Sequence, residues 1–192
     1  SSRHESYNVM ALNALPDNVI PVVVEELPSV GIDSWFSALV NGATQVLFAA
    51  SRFMPETILR VLNSEVGTAQ ALLTQIGLEK ERVDILYLES LCETRPSLCE
   101  EPLCLSVGEL HGNKRQRLFA ALDALASQYP PQASVVTLPS SAPYGKVTCR
   151  TDDCTLCMGC VAVCPTRALH HDGDIPGLKF VEQDCVQCGL CS

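Results

Sequence analysis

Seven cysteines crowd the last 39 residues of this 192-residue chain, in two runs of matching spacing. The first run is Cys154-Thr-Leu-Cys157-Met-Gly-Cys160-Val-Ala-Val-Cys164-Pro165, a C-x2-C-x2-C-x3-C-P pattern. The second, Cys185-Val-Gln-Cys188-Gly-Leu-Cys191, repeats its first three positions 31 residues later. An Asp precedes each run, at Asp153 and Asp184, which points to an internal duplication. Three thiolates spaced two residues apart on a tight loop reach three irons of one cubane, and the loop's N–H groups then face the sulfides. A fourth cysteine three residues on, followed by Pro, leads away and serves a neighbouring cluster. Structural zinc instead takes separated ligand pairs, and three cysteines so close together crowd one tetrahedral ion. The spacing therefore favours two iron–sulfur cubanes over zinc.

The chain holds eleven cysteines, an odd number, with a long cysteine-free apolar stretch ahead of them. A disulfide framework would use an even count in a small secreted domain. Thiols destined for metal must stay reduced, which places the protein in the cytoplasm. Of the remaining four, Cys149 is expected on a strand entering the first loop, where Val or Ile would serve equally. Cys92, Cys99 and Cys104 have x6 and x4 spacings that fit no metal pattern and read as buried structural thiols. His170 and His171 fall in the loop joining the two runs and read as solvated. His4 and His111 have no constellation around them.

Lys plus Arg number 13 against 22 Asp plus Glu, a formal net charge of −9. That balance argues against nucleic-acid phosphates and anionic lipid as partners. Apolar uncharged runs such as residues 41–51 fall short of a membrane span, and no signal peptide opens the sequence. It begins at Ser1 rather than Met and stops at Ser192 within a motif, and so reads as an internal fragment of a longer protein. The acidic run Glu79–Glu109 reads as a solvated face, with a docking patch for a basic partner as the sharper alternative.

The elements that must carry these residues follow from periodicity. Residues 1–18 look like the tail of a helix and a turn at Pro16-Asp17-Asn18. Val19–Val24 (VIPVVV) reads as a buried strand. Asp33 or Ser34 can cap a short helix through Trp35, Phe36, Leu39 and Val40, closed by Gly42. Gln45–Ala50 makes a second strand. Pro55 opens a long amphipathic helix ending at Gly77, with a kink or break allowed at Gly67. Arg82–Leu88 is a third strand, Lys114–Gln128 a helix, and Ser134–Leu138 a fourth strand. Strands of four to seven residues alternating with helices predict an α/β domain over residues 1–138. Its sheet should be Rossmann-like, mostly parallel, with helices on both faces. A linker at 139–144 leads to a small α+β segment, 145–192, too poor in apolar material to fold without a metal staple.

Residues 145–192 resemble a bacterial-type ferredoxin domain with two [4Fe-4S] clusters. Gly145-Lys146-Val147 is similar to the family's first strand, Cys164-Pro165-Thr166-Arg167-Ala168-Leu169 to its post-cluster turn and strand, and Asp184-Cys185 to its second cluster loop. The resemblance implies that Cys154, Cys157 and Cys160 hold the first cluster, and that Cys164, Cys185, Cys188 and Cys191 hold the second. The family's further Cys-Pro would fall beyond Ser192. The first cluster's fourth ligand is therefore expected in the continuation, and a three-iron or labile first site in the fragment alone. Residues 19–90 also resemble the delta subunit of methyl-viologen-reducing hydrogenases, an α/β electron relay. That likeness rests on Gly31-Ile32-Asp33, Asn41-Gly42-Ala43, and Gln75-Ile76-Gly77-Leu78 leading to Glu81-Arg82-Val83. Where the delta family carries cluster cysteines, this sequence has Val24-Glu25-Glu26 and Ala49-Ala50-Ser51-Arg52, so no cluster is expected there.

No G-x-G-x-x-G follows a strand, no Walker pattern occurs, and no catalytic triad or carboxylate pair can be argued. The leading expectation is an electron-transfer module passing single electrons between a donor and an acceptor protein, such as a dehydrogenase or hydrogenase, within a larger redox protein or complex. The alternatives are an oxidoreductase subunit whose α/β domain or missing parts bind a flavin, nicotinamide or organic substrate, and a structural protein stapled by its clusters.

Overall fold

The computed structural model describes residues 15, 17–24, 29–90, 98–103, 106–130, 135–140, 142–173 and 175–192. The chain divides into two compact units, Ser1–Pro139 and Ser140–Ser192.

The first unit is built around one βαβ element. Strand β1 (Val46–Ala50) and strand β2 (Val83–Tyr87) pair in parallel, from Val46 opposite Val83 to Ala50 opposite Tyr87. Parallel neighbours need a long crossover, and helix α2 (Glu56–Gln75) supplies it. Its apolar positions recur at helical spacing, so Leu62, Val66, Ala69, Leu72 and Leu73 are all buried. Gly77, with φ of 84°, ends it. The Gly77 N–H donates to the Thr74 carbonyl at 3.0 Å and the Leu78 N–H to the Leu73 carbonyl at 2.9 Å, a Schellman pair that satisfies two end-of-helix acceptors.

Helix α1 (Ile32–Val40) precedes β1, and helix α3 (Lys114–Gln128) follows β2. Asn113 caps α3 reciprocally with Gln116. The Gln116 N–H reaches Asn113 Oδ1 at 2.9 Å, and the Asn113 N–H reaches Gln116 Oε1 at 3.1 Å. Trp35 stacks obliquely on Phe48 with ring centroids 4.4 Å apart. Together with Phe36, Leu39, Leu73, Val83, Leu118 and Leu125 it makes the core.

Several expectations need correction. Val19–Val24 is no strand: Ile20, Val22 and Val23 are 87%, 78% and 94% exposed, and Pro21 has no N–H to pair. Residues 135–138 form no strand either, with Val135 exposed; Ser134 lies outside the described residues. The sheet among the described residues thus has two parallel strands rather than the wider Rossmann-like sheet expected. Neither Asp33 nor Ser34 caps α1; Gly31 takes that position without a side-chain bond, and Asp33 is buried against Arg117. Helix α2 runs unbroken through Gly67. The helix tail expected over residues 1–14 lies outside the described residues.

The second unit is smaller and thinly filled. Helix α4 (Gly159–Val163) leads to an antiparallel hairpin of β3 (Leu169–His171) and β4 (Leu178–Phe180). Only Ala168 and Leu169 are buried apolar residues among those described here. The strand expected at Gly145-Lys146-Val147 does not form, nor does one carry Cys149. His170 and His171 lie on β3, exposed, rather than in a loop. No helix among the described residues is long and apolar enough to cross a membrane.

Candidate metal centre

The two cysteine runs share a backbone as well as a spacing. In the first, Leu156 and Met158 have φ of 54° and 61°; in the second, Gln187 and Gly189 have φ of 54° and 75°. Left-handed backbone costs an ordinary residue about 1–2 kcal/mol, so three of these four positions are held there against preference. Each pair flanks the middle cysteine of its run, Cys157 or Cys188. A left-handed residue among right-handed ones turns successive N–H groups toward one side, the nest that receives anions and iron–sulfur groups. Met158 also ends the first loop by receiving the Ala162 N–H at 3.0 Å, which starts α4.

The thiols are placed for use. Cys157 and Cys188 are exposed, and Cys154, Cys160, Cys164, Cys185 and Cys191 are half-buried. The Gly159 N–H, seconded by the Thr155 hydroxyl, holds Cys157 below the usual thiol range. Burial pushes Cys164 up, but hydrogen bonds outweigh it and leave this thiol below its ordinary value too. Among them, the Ala168 N–H donates to Cys164 Sγ at 3.2 Å, and the Thr166 hydroxyl lies 3.8 Å from it. Gln187 Nε2 donates to Cys185 Sγ at 3.3 Å and to the Gly145 carbonyl at 2.8 Å. Lowered thiols are the ones that exist as the thiolates iron binds.

These residues fit an iron–sulfur group. The donors are soft thiolates, the left-handed steps of both loops have the backbone of an anion-receiving nest, and few apolar side chains are buried in this unit. Among the described residues no three His, Cys, Asp or Glu side chains close round a single ion; a cubane spreads its thiolates over the corners of a larger body. A shallow cavity of about 330 Å³ adjoins the first loop, lined by Leu156, Met158, His171, Gly173, Ile175 and Pro176.

The other cysteines fall differently from expectation. A turn closes with the Asp153 N–H on the Arg150 carbonyl at 3.2 Å and brings exposed Cys149 back against the first loop. A hydrogen bond with Cys154, then slight burial and the charge of Cys154 and Cys160, push Cys149 above the usual thiol range. Cys99 is half-buried, and burial raises it. Cys92 and Cys104 lie outside the described residues.

Elsewhere in the first unit, the segment after β1 holds a polar lock. The Ser51 hydroxyl donates to Glu89 Oε1 at 2.6 Å, and the Arg52 N–H to Glu89 Oε2 at 3.2 Å. Part of the acidic run is internally paired: Arg82, buried, meets Glu79 at 2.7 Å and donates to the carbonyls of Thr44 and Glu101 at 3.0 and 2.9 Å. Sequence reasoning missed Gln187 and Thr155. Aligning the two runs position by position would have singled both out, since Gln187 stands opposite Leu156 and Thr155 opposite Val186.

No curated protein and no solved structure matches the chain. Residues 150–170, which contain Cys154, Cys157, Cys160 and Cys164, match the family model of the 4Fe-4S binding domain; the match implies at least one [4Fe-4S] cluster and supports iron–sulfur electron transfer in general.

Proposed function

We propose that the chain binds two [4Fe-4S] clusters and transfers single electrons between a donor and an acceptor protein within a larger redox protein or complex. Cys154, Cys157 and Cys160 hold the first cluster; Cys164, Cys185, Cys188 and Cys191 hold the second. The observation that carries this reading is the repeated backbone: Gln187 and Gly189 reproduce, 31 residues on, the left-handed positions of Leu156 and Met158 in the matched run. An ordinary connecting loop has no reason to adopt that costly pattern at the same two steps. The clusters supply one-electron chemistry, with potentials set by charge, burial and hydrogen bonds to sulfur. The protein's part is to fix the thiolates and shield the sulfides.

The test is anaerobic purification of the full chain with iron, acid-labile sulfide and electron paramagnetic resonance measurements. Four irons are expected at the second site, which has four thiolates, and three or four at the first, which has three, so about seven to eight irons per chain, with reversible reduction by a low-potential donor. Cys185→Ser should remove only the second signal. A chain that binds zinc without labile sulfide, or whose iron content Cys185→Ser leaves unchanged, would contradict the two-cluster reading.

A further inference from the structure

We propose that Gln187 is a positioning residue that raises the reduction potential of the second cluster; the proposal rests on the two-cluster reading above. Its amide nitrogen carries two hydrogens, and both have acceptors: the Gly145 carbonyl at 2.8 Å and Cys185 Sγ at 3.3 Å. The left-handed backbone at Gln187 accompanies a side chain that folds back onto the cysteine two residues earlier. The amide's approach does not depend on residue 145 being glycine, since a Cβ there would sit 3.7 Å from it, an ordinary contact; what holds the amide is the backbone carbonyl. The carbonyl therefore anchors the amide, and the second hydrogen stays aimed at sulfur.

A hydrogen bond to a ligating sulfur draws electron density from the thiolate and stabilises the reduced, more negative cluster. The repeat supplies an internal control. The same step of the first loop is Leu156, which has no donor and lines the neighbouring cavity. The first loop uses a different device, the Thr155 hydroxyl on Cys157, where the second has Val186. Exchanging the residue at 156 or at 187 therefore changes one side-chain donor in one loop, with the other loop as the reference.

The experiment is a redox titration of the full, anaerobically loaded chain followed by electron paramagnetic resonance, the second wave being the one lost in Cys185→Ser. Gln187→Leu should shift the second wave to lower potential and leave the first wave and the iron count unchanged. Gln187→Glu, equal in size but unable to donate when ionised, should shift it further down. Leu156→Gln should move the first wave up. Unmoved waves in Gln187→Leu and Gln187→Glu, with both clusters present, overturn the proposal. Should Gln187→Leu fail to hold its second cluster, Leu156→Gln decides: an unmoved first wave overturns it. A wild-type iron count of one cluster sinks the two-cluster reading itself, and this role with it.

Discussion

Asp33 on α1 and Arg117 on α3 form an ion pair in which the carboxylate is 2% exposed and the guanidinium 34%. The pair joins two helices that are 84 residues apart in sequence at this contact. Its two halves are unequal: Arg117 can turn to water if released, whereas Asp33 cannot.

Removing Arg117 should therefore hurt more than neutralising Asp33. Arg117→Leu strands a buried carboxylate and should cost about 3 kcal/mol; Asp33→Asn should cost about 1 kcal/mol. Urea unfolding followed by fluorescence of Trp35, the chain's single tryptophan and a neighbour on α1, reads this difference. Equal losses for the two variants would show that burial of Asp33 is not what makes the pair matter.

Gly67 interrupts nothing. A Cβ placed there meets no atom within 4 Å, and the helix around it is continuous. Gly67→Ala should stabilise the first unit by about 0.5–1 kcal/mol through the reduced freedom of the unfolded chain. A lower urea midpoint in the same assay would count against an unstrained helix at this point.

The left-handed step at Met158 sets a requirement that Gly189 meets freely in the second run. Met158→Gly should leave the first cluster as firmly held as before. Met158→Ile, β-branched at positive φ, should cost the loop at least about 1–2 kcal/mol and speed iron loss under chelator challenge. Identical loss rates for Ile and Gly would separate cluster retention from this backbone conformation.

The parts legible in the sequence were those whose determinants are local. Helix α3 begins and ends at the residues its pattern predicts, since Lys114–Gln128 follows a capping box and keeps one apolar face. β1 and β2 were legible as short apolar runs either side of a helix. Val19–Val24 misled because β-branched residues only favour a strand where a pleated neighbour waits, and propensity carries no information about that neighbour. Asp33 read as a cap because its partner, Arg117, is remote. The candidate cluster cysteines announced themselves by spacing, and the 4Fe-4S family model matches residues 150–170. Gln187 and the turn that returns Cys149 to the loop depend on backbone geometry that side-chain identity does not display.

Among the described residues of the second unit, Ala168 and Leu169 alone are fully sheltered apolar side chains, while Val163, Ile175, Val186 and Leu190 stand 48% to 67% open to solvent. A cluster bound in this unit would thus take the place of an oily interior. Iron delivery would then govern how long newly made chains survive, since a chain without its cluster would present proteases and oxidants with thiol-studded loops. The protein's abundance would in this way track the cell's capacity to build its cofactor.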